Sequence, residues 1–116
     1  SQVYATTDSA DEAIAAIRTL PEPWFVWLAF NAPHKPVHEP PAHLHTYAPP
    51  LVGIPTLYRA MVEAMDTEMG RVLAEIGPED TVIFLGDNGP YEEAITAPQD
   101  PTHGKGTIFE GGSACP

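Results

Sequence analysis

The stretch Thr81–Pro90, TVIFLGDNGP, constrains the fold of this chain more than any other part of the sequence. Its apolar, β-favouring residues end at Leu85 and turn-forming residues follow at once. A short apolar run bounded by turn signals predicts a strand buried on both faces. In an open α/β sheet, ligands bind at the edge where parallel strands end. We therefore expect Asp87 and Asn88 to lie at such an edge.

These two residues offer oxygen ligands of the kind that hard cations prefer. The Asp87 carboxylate supplies two oxygens and the Asn88 amide supplies one, which suits Ca²⁺ or Mg²⁺. The sequence Asp-Asn-Gly is also ordinary turn chemistry in any protein. On this stretch alone a plain turn is favoured over a metal site, and both interpretations stay open.

A second apolar run, Trp24–Phe30 (WFVWLAF), is followed by the polar turn Asn31–Pro36 (NAPHKP). Its composition and boundaries predict another buried strand. If the two strands are parallel neighbours, their polar turns could meet at one site. His34 stands between two prolines that restrict its backbone, and its imidazole could act as a general acid or donate to an anion. The alternative is a histidine in a surface loop.

Two amphipathic helices are predicted between and before these runs. The first covers roughly Ala10–Thr19, with a capping box formed by Ser9 and Glu12. The second covers Tyr58–Ile76, where a methionine-rich stripe predicts a core-facing surface. The order helix, strand, loop, helix, strand is typical of an α/β sheet, so we expect the α/β fold class.

The remaining polar stretches give weaker signals. The proline-rich segment Val37–Pro55 predicts a long ordered loop. Its three histidines have no zinc-ligand spacing, which favours ordinary loop residues at His38, His43 and His45. Lys105 is flanked by glycines, so its ammonium group is unhindered and could serve as a point charge for an oxyanion.

The charge of the chain limits its partners. Sixteen acidic residues against five Lys and Arg give 116 residues a formal net charge of -11. Such a chain should repel nucleic acid and anionic membrane surfaces, and no run is long and apolar enough to span a bilayer. An anionic substrate would need local positive charge from a metal or a positioned lysine. The cellular compartment stays open.

Four motifs in order resemble the sulfatase family of the alkaline phosphatase superfamily, over nearly the whole chain. They are LAFNAPHKP (Leu28–Pro36), YRAMVEAMDTEMGRVL (Tyr58–Leu73), TVIFLGDNG (Thr81–Gly89) and GKGTIFEGG (Gly104–Gly112). The resemblance implies part of an alkaline-phosphatase-like sheet, mixed and mostly parallel, flanked by helices. It also implies hydrolysis of a sulfate ester on a small molecule or a glycan.

The resemblance also implies roles for individual residues. Asp87 and Asn88 match the pair that completes a divalent cation site, usually Ca²⁺, with Mg²⁺ possible by ligand type. The aspartate that Asp87 matches also lies beside the nucleophile. His34 matches a histidine that hydrogen-bonds the sulfate ester near its leaving oxygen. Lys105 matches a lysine that binds the sulfate group.

Departures from the family pattern are equally informative. The chain has no C/S-x-P-x-R motif, whose Cys or Ser becomes the formylglycine nucleophile, and Cys115 does not match it. The family's earlier metal-binding aspartates also have no counterpart. We therefore expect residues 1–116 to be a partial sulfatase catalytic domain. The N-terminal half of that domain, which carries the nucleophile, is the expected partner, and the isolated chain should be inactive and should associate through exposed strand edges.

Two alternatives stay open at this stage. One is a phosphonate or phosphate monoester hydrolase of the same superfamily, because a cation and a covalent route serve both kinds of ester. The other is a non-catalytic α/β binding module that retains the shape of the family.

Overall fold

The computed structural model describes residues 3–108, which divide into two units. The first unit contains residues 3–52 and 56–80, and the second contains residues 53–55 and 81–108. The regular elements are helices α1 (Ala5–Thr19) and α2 (Ile54–Leu73), with short 3₁₀ turns at Ala42–Leu44, Glu92–Ala94 and Pro101–His103. No β-strand occurs within the described residues, so the predicted α/β sheet is wrong for this structure.

Helix α1 begins earlier than its sequence predicted. It starts at Ala5, with Tyr4 at the N-cap position and no side-chain cap. The expected capping box is absent because the Ser9 hydroxyl lies inside the helix and donates to the Ala5 carbonyl, 3.0 Å away. The predicted end at Thr19 is confirmed. A proline at position 21 favours that end, because its ring clashes with a preceding helical turn.

Helix α2 has the core-facing stripe that its periodicity predicted, with shifted ends. It starts four residues before the expected Tyr58 and ends at Leu73 rather than Ile76. Met61 is only 2% exposed, which confirms that the methionine stripe contributes to the core. Neither described helix combines the length and the apolar character needed to cross a membrane.

Helices α1 and α2 are joined by a small apolar core and by ion pairs beside it. The buried residues Ala10 and Ala13 of α1 cluster with Val72 of α2. Arg18 donates to both carboxylate oxygens of Glu75, over 2.8 and 2.6 Å. The small side chains of α1 let the helices approach closely, and the charged pair closes one edge of their contact.

The run Trp24–Phe30 has one packed face and one bare face. Val26, Leu28 and Phe30 pack against the apolar core of the helix pair. The residues between them point away, and Phe25 and Trp27 are 81% and 76% exposed. This alternation is the one expected of a strand. However, residues 24–30 make no backbone hydrogen bond to any other described residue, and they form no ladder.

The run Thr81–Leu85 departs further from its prediction. Its residues have no regular secondary structure, and Ile83 is 75% exposed where a buried strand was expected. A strand is defined by backbone hydrogen bonds to a neighbour, whereas an apolar run reports only the preference of its side chains. Neither run has such a neighbour among the described residues, which is the physical reason that the sheet prediction failed.

Candidate functional site

His34 lies in a tight turn that directly follows the packed segment Trp24–Phe30. The His34 backbone N–H donates to the Asn31 carbonyl over 2.8 Å, which closes the turn. The ring Nδ1 lies 2.8 Å from the carbonyl oxygen of Lys35. Since a carbonyl only accepts, Nδ1 carries the proton and Nε2 is the nitrogen that can exchange a proton with a ligand. The side chain is exposed, so a ligand can reach it.

Asp87 and Asn88 lie at a bend of the backbone, called the Asp87-Asn88 turn below, at the position where Asp-Asn-Gly chemistry predicts a turn. Oδ1 of Asp87 accepts the backbone N–H of Asn88 over 2.9 Å. The other carboxylate oxygen has no hydrogen-bond partner among the described residues, and Asp87 is exposed while Asn88 is half-buried. The turn interpretation is thus supported, and it leaves oxygen ligands available for a cation.

The donor set at this turn is suitable in kind but small in number. Ca²⁺ takes about six to eight oxygen ligands and Mg²⁺ about six. Within the described residues no group of three or more His, Cys, Asp or Glu side chains is arranged to hold a metal. Asp87 and Asn88 could therefore be two ligands of a cation site whose other ligands lie elsewhere.

Lys105 is held against the chain segment that follows Asn88. Its backbone N–H donates to the carbonyl oxygen of Pro90 over 2.8 Å, and its side chain is exposed. The preceding Gly104 is buried, and its carbonyl accepts the Thr107 hydroxyl over 2.8 Å. These bonds form a compact turn that fixes the backbone of Lys105 while its ammonium group faces solvent.

The predicted site residues thus fall into the two units of the chain. Asp87, Asn88 and Lys105 lie in the second unit, where Lys105 is bonded to Pro90, two residues after Asn88. His34 lies in the first unit. The sequence predicted one shared site for all four residues. Within the second unit, the structure bonds the Lys105 backbone to the segment that carries Asp87 and Asn88.

Among its described residues the second unit carries more acidic than basic side chains. In the same unit, the side chain and then the backbone of Thr102 donate to Asp100, which lowers the pKa of that carboxyl group. Burial of its hydroxyl and the nearby Glu93 carboxylate raise the pKa of Tyr91. Lys105 is the one Lys or Arg among the described residues of this unit, so an anionic ligand there would depend on it.

Two histidines of the long loop, His38 and His45, contact backbone carbonyl groups. Nδ1 of His38 lies 3.1 Å from the Pro36 oxygen, and its ring meets that of Tyr4 edge to face. Nε2 of His45 lies 3.2 Å from the Pro40 oxygen. The prediction that His38, His43 and His45 are ordinary loop residues stays a prediction.

Sequence analysis missed a buried carboxylate, Glu68 on α2, which is only 1% exposed. It accepts a hydrogen bond from the Thr7 hydroxyl over 2.6 Å and another from Arg71. Glu68 lies seven residues after Met61 and four before Val72, so it belongs to the apolar stripe of α2. A charged residue at such a position is buried and needs a hydrogen-bonding partner, and this was the available sequence signal. This network joins the helices and has no part in the predicted site.

A groove of about 460 Å³ runs between the helices. His34, the predicted site residue of the first unit, does not line it. Its charged walls are the ion pairs of the helix contact, including Arg18 with Glu75 and Arg71 with Asp11. Because these guanidinium groups are already neutralised by carboxylates, the groove offers an anion no free charge. This groove is therefore not a candidate site for an anion.

Comparison with known proteins identifies the class of this chain. The model of the sulfatase family matches residues 2–112, which include His34, Asp87, Asn88 and Lys105. The chain therefore belongs to the sulfatase family. A search of curated proteins and a search of solved structures each found no match.

Proposed function

We propose that this chain supplies sulfate-binding and cation-binding residues for the hydrolysis of a sulfate ester carried by a small molecule or a glycan. The observation that carries this proposal is the sulfatase family match over residues 2–112. It is supported by the exposed side chains of His34, Asp87 and Lys105 and by the bond from the Lys105 backbone to Pro90. Four chemically suitable residues in the family order favour this function over a plain structural role.

Each residue has a distinct task in the proposed reaction. Lys105 acts as a point charge on the sulfate oxygens. The Nδ1–H of His34 donates a hydrogen bond to the Lys35 carbonyl, which leaves Nε2 to face the leaving oxygen. In the protonated imidazolium, Nε2–H delivers its proton to the departing alcohol. The S–O bond of the ester breaks as that proton reaches the departing alcohol, while the sulfur forms a new bond to the nucleophile that the other half of the domain would supply.

Asp87 and Asn88 would hold the cation through oxygen ligands. A bound Ca²⁺ or Mg²⁺ supplies positive charge that stabilises the negative charge on the sulfate oxygens. We propose that the further ligands and the formylglycine nucleophile come from the N-terminal half of the same catalytic domain, which would be the partner of this chain. On this proposal the isolated 116 residues do not hydrolyse an aryl sulfate.

The test uses the protein encoded by the complete coding sequence that contains these residues, assayed with an aryl sulfate. The single variants His34→Ala and Lys105→Ala should each lower kcat/KM by about 10²-fold or more. His43→Ala is the matched control for His34, because His43 is also an exposed loop histidine. Equal activity of His34→Ala and His43→Ala would contradict the assigned role of His34.

The same assay separates the alternatives. Preference for an aryl phosphate or phosphonate over the sulfate would favour the related monoester hydrolase. Two results together would favour a binding module: no turnover of any of the three esters, and no effect of Asp87→Ala on any measured function. Turnover of an aryl sulfate by the purified 116 residues, free of host sulfatase, would contradict the need for a second half.

A further inference from the structure

Gly104, the residue before Lys105, occupies a position with no room for a side chain. A methyl group built on Gly104 would lie 2.7 Å from Cδ1 of Ile95 and 2.8 Å from the carbonyl oxygen of Pro90. Non-bonded carbon atoms pack at about 3.5–4.0 Å. Any side chain at this position must therefore displace one or both neighbours.

The need for glycine here comes from space and not from backbone conformation. Gly104 has φ of -77°, which any residue can adopt. Gly106 is the reverse case, because its φ of 88° favours glycine while nothing lies within 4 Å of a built methyl group. The two glycines that flank Lys105 are thus required for different reasons.

The close neighbour of Gly104 is also the hydrogen-bond acceptor of Lys105. The Pro90 oxygen that a methyl group would meet at 2.8 Å accepts the Lys105 backbone N–H, also over 2.8 Å. A side chain at 104 would push this oxygen away and break that bond. The clash with Ile95 is different, because a flexible side-chain terminus can move aside and a backbone carbonyl in a turn cannot.

This hydrogen bond sets the position of Lys105 relative to the proposed cation ligands. Pro90 follows Asp87 by three residues, and three residues of chain span at most about 11 Å. The Lys105 backbone is therefore kept within reach of the turn that carries Asp87 and Asn88. Thr107 closes the other side of this arrangement by donating its hydroxyl to the Gly104 carbonyl.

We propose that Gly104 is a positioning residue: by leaving room for the Pro90 carbonyl it permits the bond that holds Lys105 beside the Asp87-Asn88 turn. This inference rests on the proposed function for the sulfate-binding role of Lys105. The hydrogen bond and its need for glycine at position 104 do not rest on the proposed function. The hydrogen bond and the sulfate-binding role of Lys105 can therefore be tested separately.

The first experiment measures amide hydrogen exchange in the 116-residue chain by NMR. In Gly104→Ala the Lys105 amide should exchange about three- to tenfold faster than in the wild type, because one hydrogen bond is lost. Gly70→Ala is the control, since a methyl group there meets nothing within 4 Å. Unchanged protection of Lys105 in Gly104→Ala would overturn the proposal.

A second variant separates positioning from simple packing. Ile95→Val removes Cδ1, the side-chain atom nearest the built methyl group, and leaves the Pro90 carbonyl in place. In Gly104→Ala/Ile95→Val the Lys105 amide should still exchange fast. Recovery of wild-type protection in this double variant would mean that Gly104 only makes room for Ile95, which would overturn the proposal.

The last measurement uses the protein encoded by the complete coding sequence: each variant is titrated with inorganic sulfate, and the side-chain resonances of Lys105 are followed. The wild type and Gly70→Ala should show the same saturable shift, and Gly104→Ala should need about tenfold more sulfate. Equal affinity in Gly104→Ala would overturn the positioning role. A wild-type protein with no response would count against the proposed function. The exchange measurements would then still test whether the Lys105–Pro90 hydrogen bond depends on Gly104.

Discussion

Removal of the buried carboxylate of Glu68 should destabilise the helix pair more than any single exposed charge. Glu68 is 1% exposed and accepts hydrogen bonds from the Thr7 hydroxyl on α1 and from Arg71 on its own helix. Arg71 also donates to Asp11 of α1 over 2.6 Å. Glu68→Ala therefore breaks a direct connection between the helices and one side of an ion-pair network.

The size of the effect follows from the surroundings of each partner. A hydrogen bond to a charged group contributes about 1.5–3 kcal/mol, and each lost buried methylene adds about 0.8 kcal/mol. The Arg71 side chain is 45% exposed and keeps its bond to Asp11, so water and that bond offset part of the loss. We expect Glu68→Ala to lower the free energy of unfolding by about 2–3 kcal/mol.

Urea denaturation followed by circular dichroism at the helical band measures this change. For small domains the dependence on urea is about 1–3 kcal/mol per molar, so the midpoint should fall by about 1 M or more. Asp66→Ala is the matched control, because Asp66 is an exposed carboxylate on the same helix and should shift stability by less than about 0.5 kcal/mol. If both variants unfolded at the same urea concentration, the buried network would not be holding the helices together.

Three further predictions address charge, metal and association. Hydrogen bonding from Arg18 lowers the pKa of Glu75 below its ordinary 4.5. The difference in free energy of unfolding between the wild type and Glu75→Gln should therefore be constant above about pH 5.5. It should shrink only as the pH falls through the lowered pKa. A difference that instead changed between about pH 6 and 8 in urea titrations would contradict this. Ca²⁺ titration of the protein encoded by the complete coding sequence should show saturable binding that Asp87→Asn weakens about tenfold and Asp66→Asn leaves unchanged, and a wild type that binds no Ca²⁺ would count against the cation role. Trp27 is 76% exposed, so light scattering should detect self-association that Trp27→Lys reduces, and a monomeric wild type would refute this expectation.

The helices were predictable because their signals are local. The spacing of apolar residues in α2 identified its buried stripe, including Met61, and the prolines after α1 identified the end at Thr19. The start of α1 was misplaced because Ser9 has good capping chemistry in sequence but bonds the Ala5 carbonyl inside the helix. Propensity alone cannot distinguish these two uses of a serine hydroxyl.

The sheet was not predictable in the same way because a strand needs a neighbour. The alternating exposure of Trp24–Phe30 matches a strand, yet its packed face rests on helices and its backbone has no partner among the described residues. Thr81–Leu85 shows that even strong β propensity does not ensure burial, since Ile83 is 75% exposed. Pairing is a long-range property, whereas the apolar pattern that predicted it is local.

The site combines both kinds of information. The turn at Asp87 and the exposed imidazole of His34 follow from local chemistry, and the sequence identified both. The glycine before Lys105 was noticed for its permissive backbone, but its φ of -77° needs no such freedom. Its real constraint is the Pro90 carbonyl, fourteen residues earlier in the chain, at 2.8 Å from where a methyl group would stand. A contact of that range is set by how the chain folds back on itself, so the reason for this glycine can be read only from the structure.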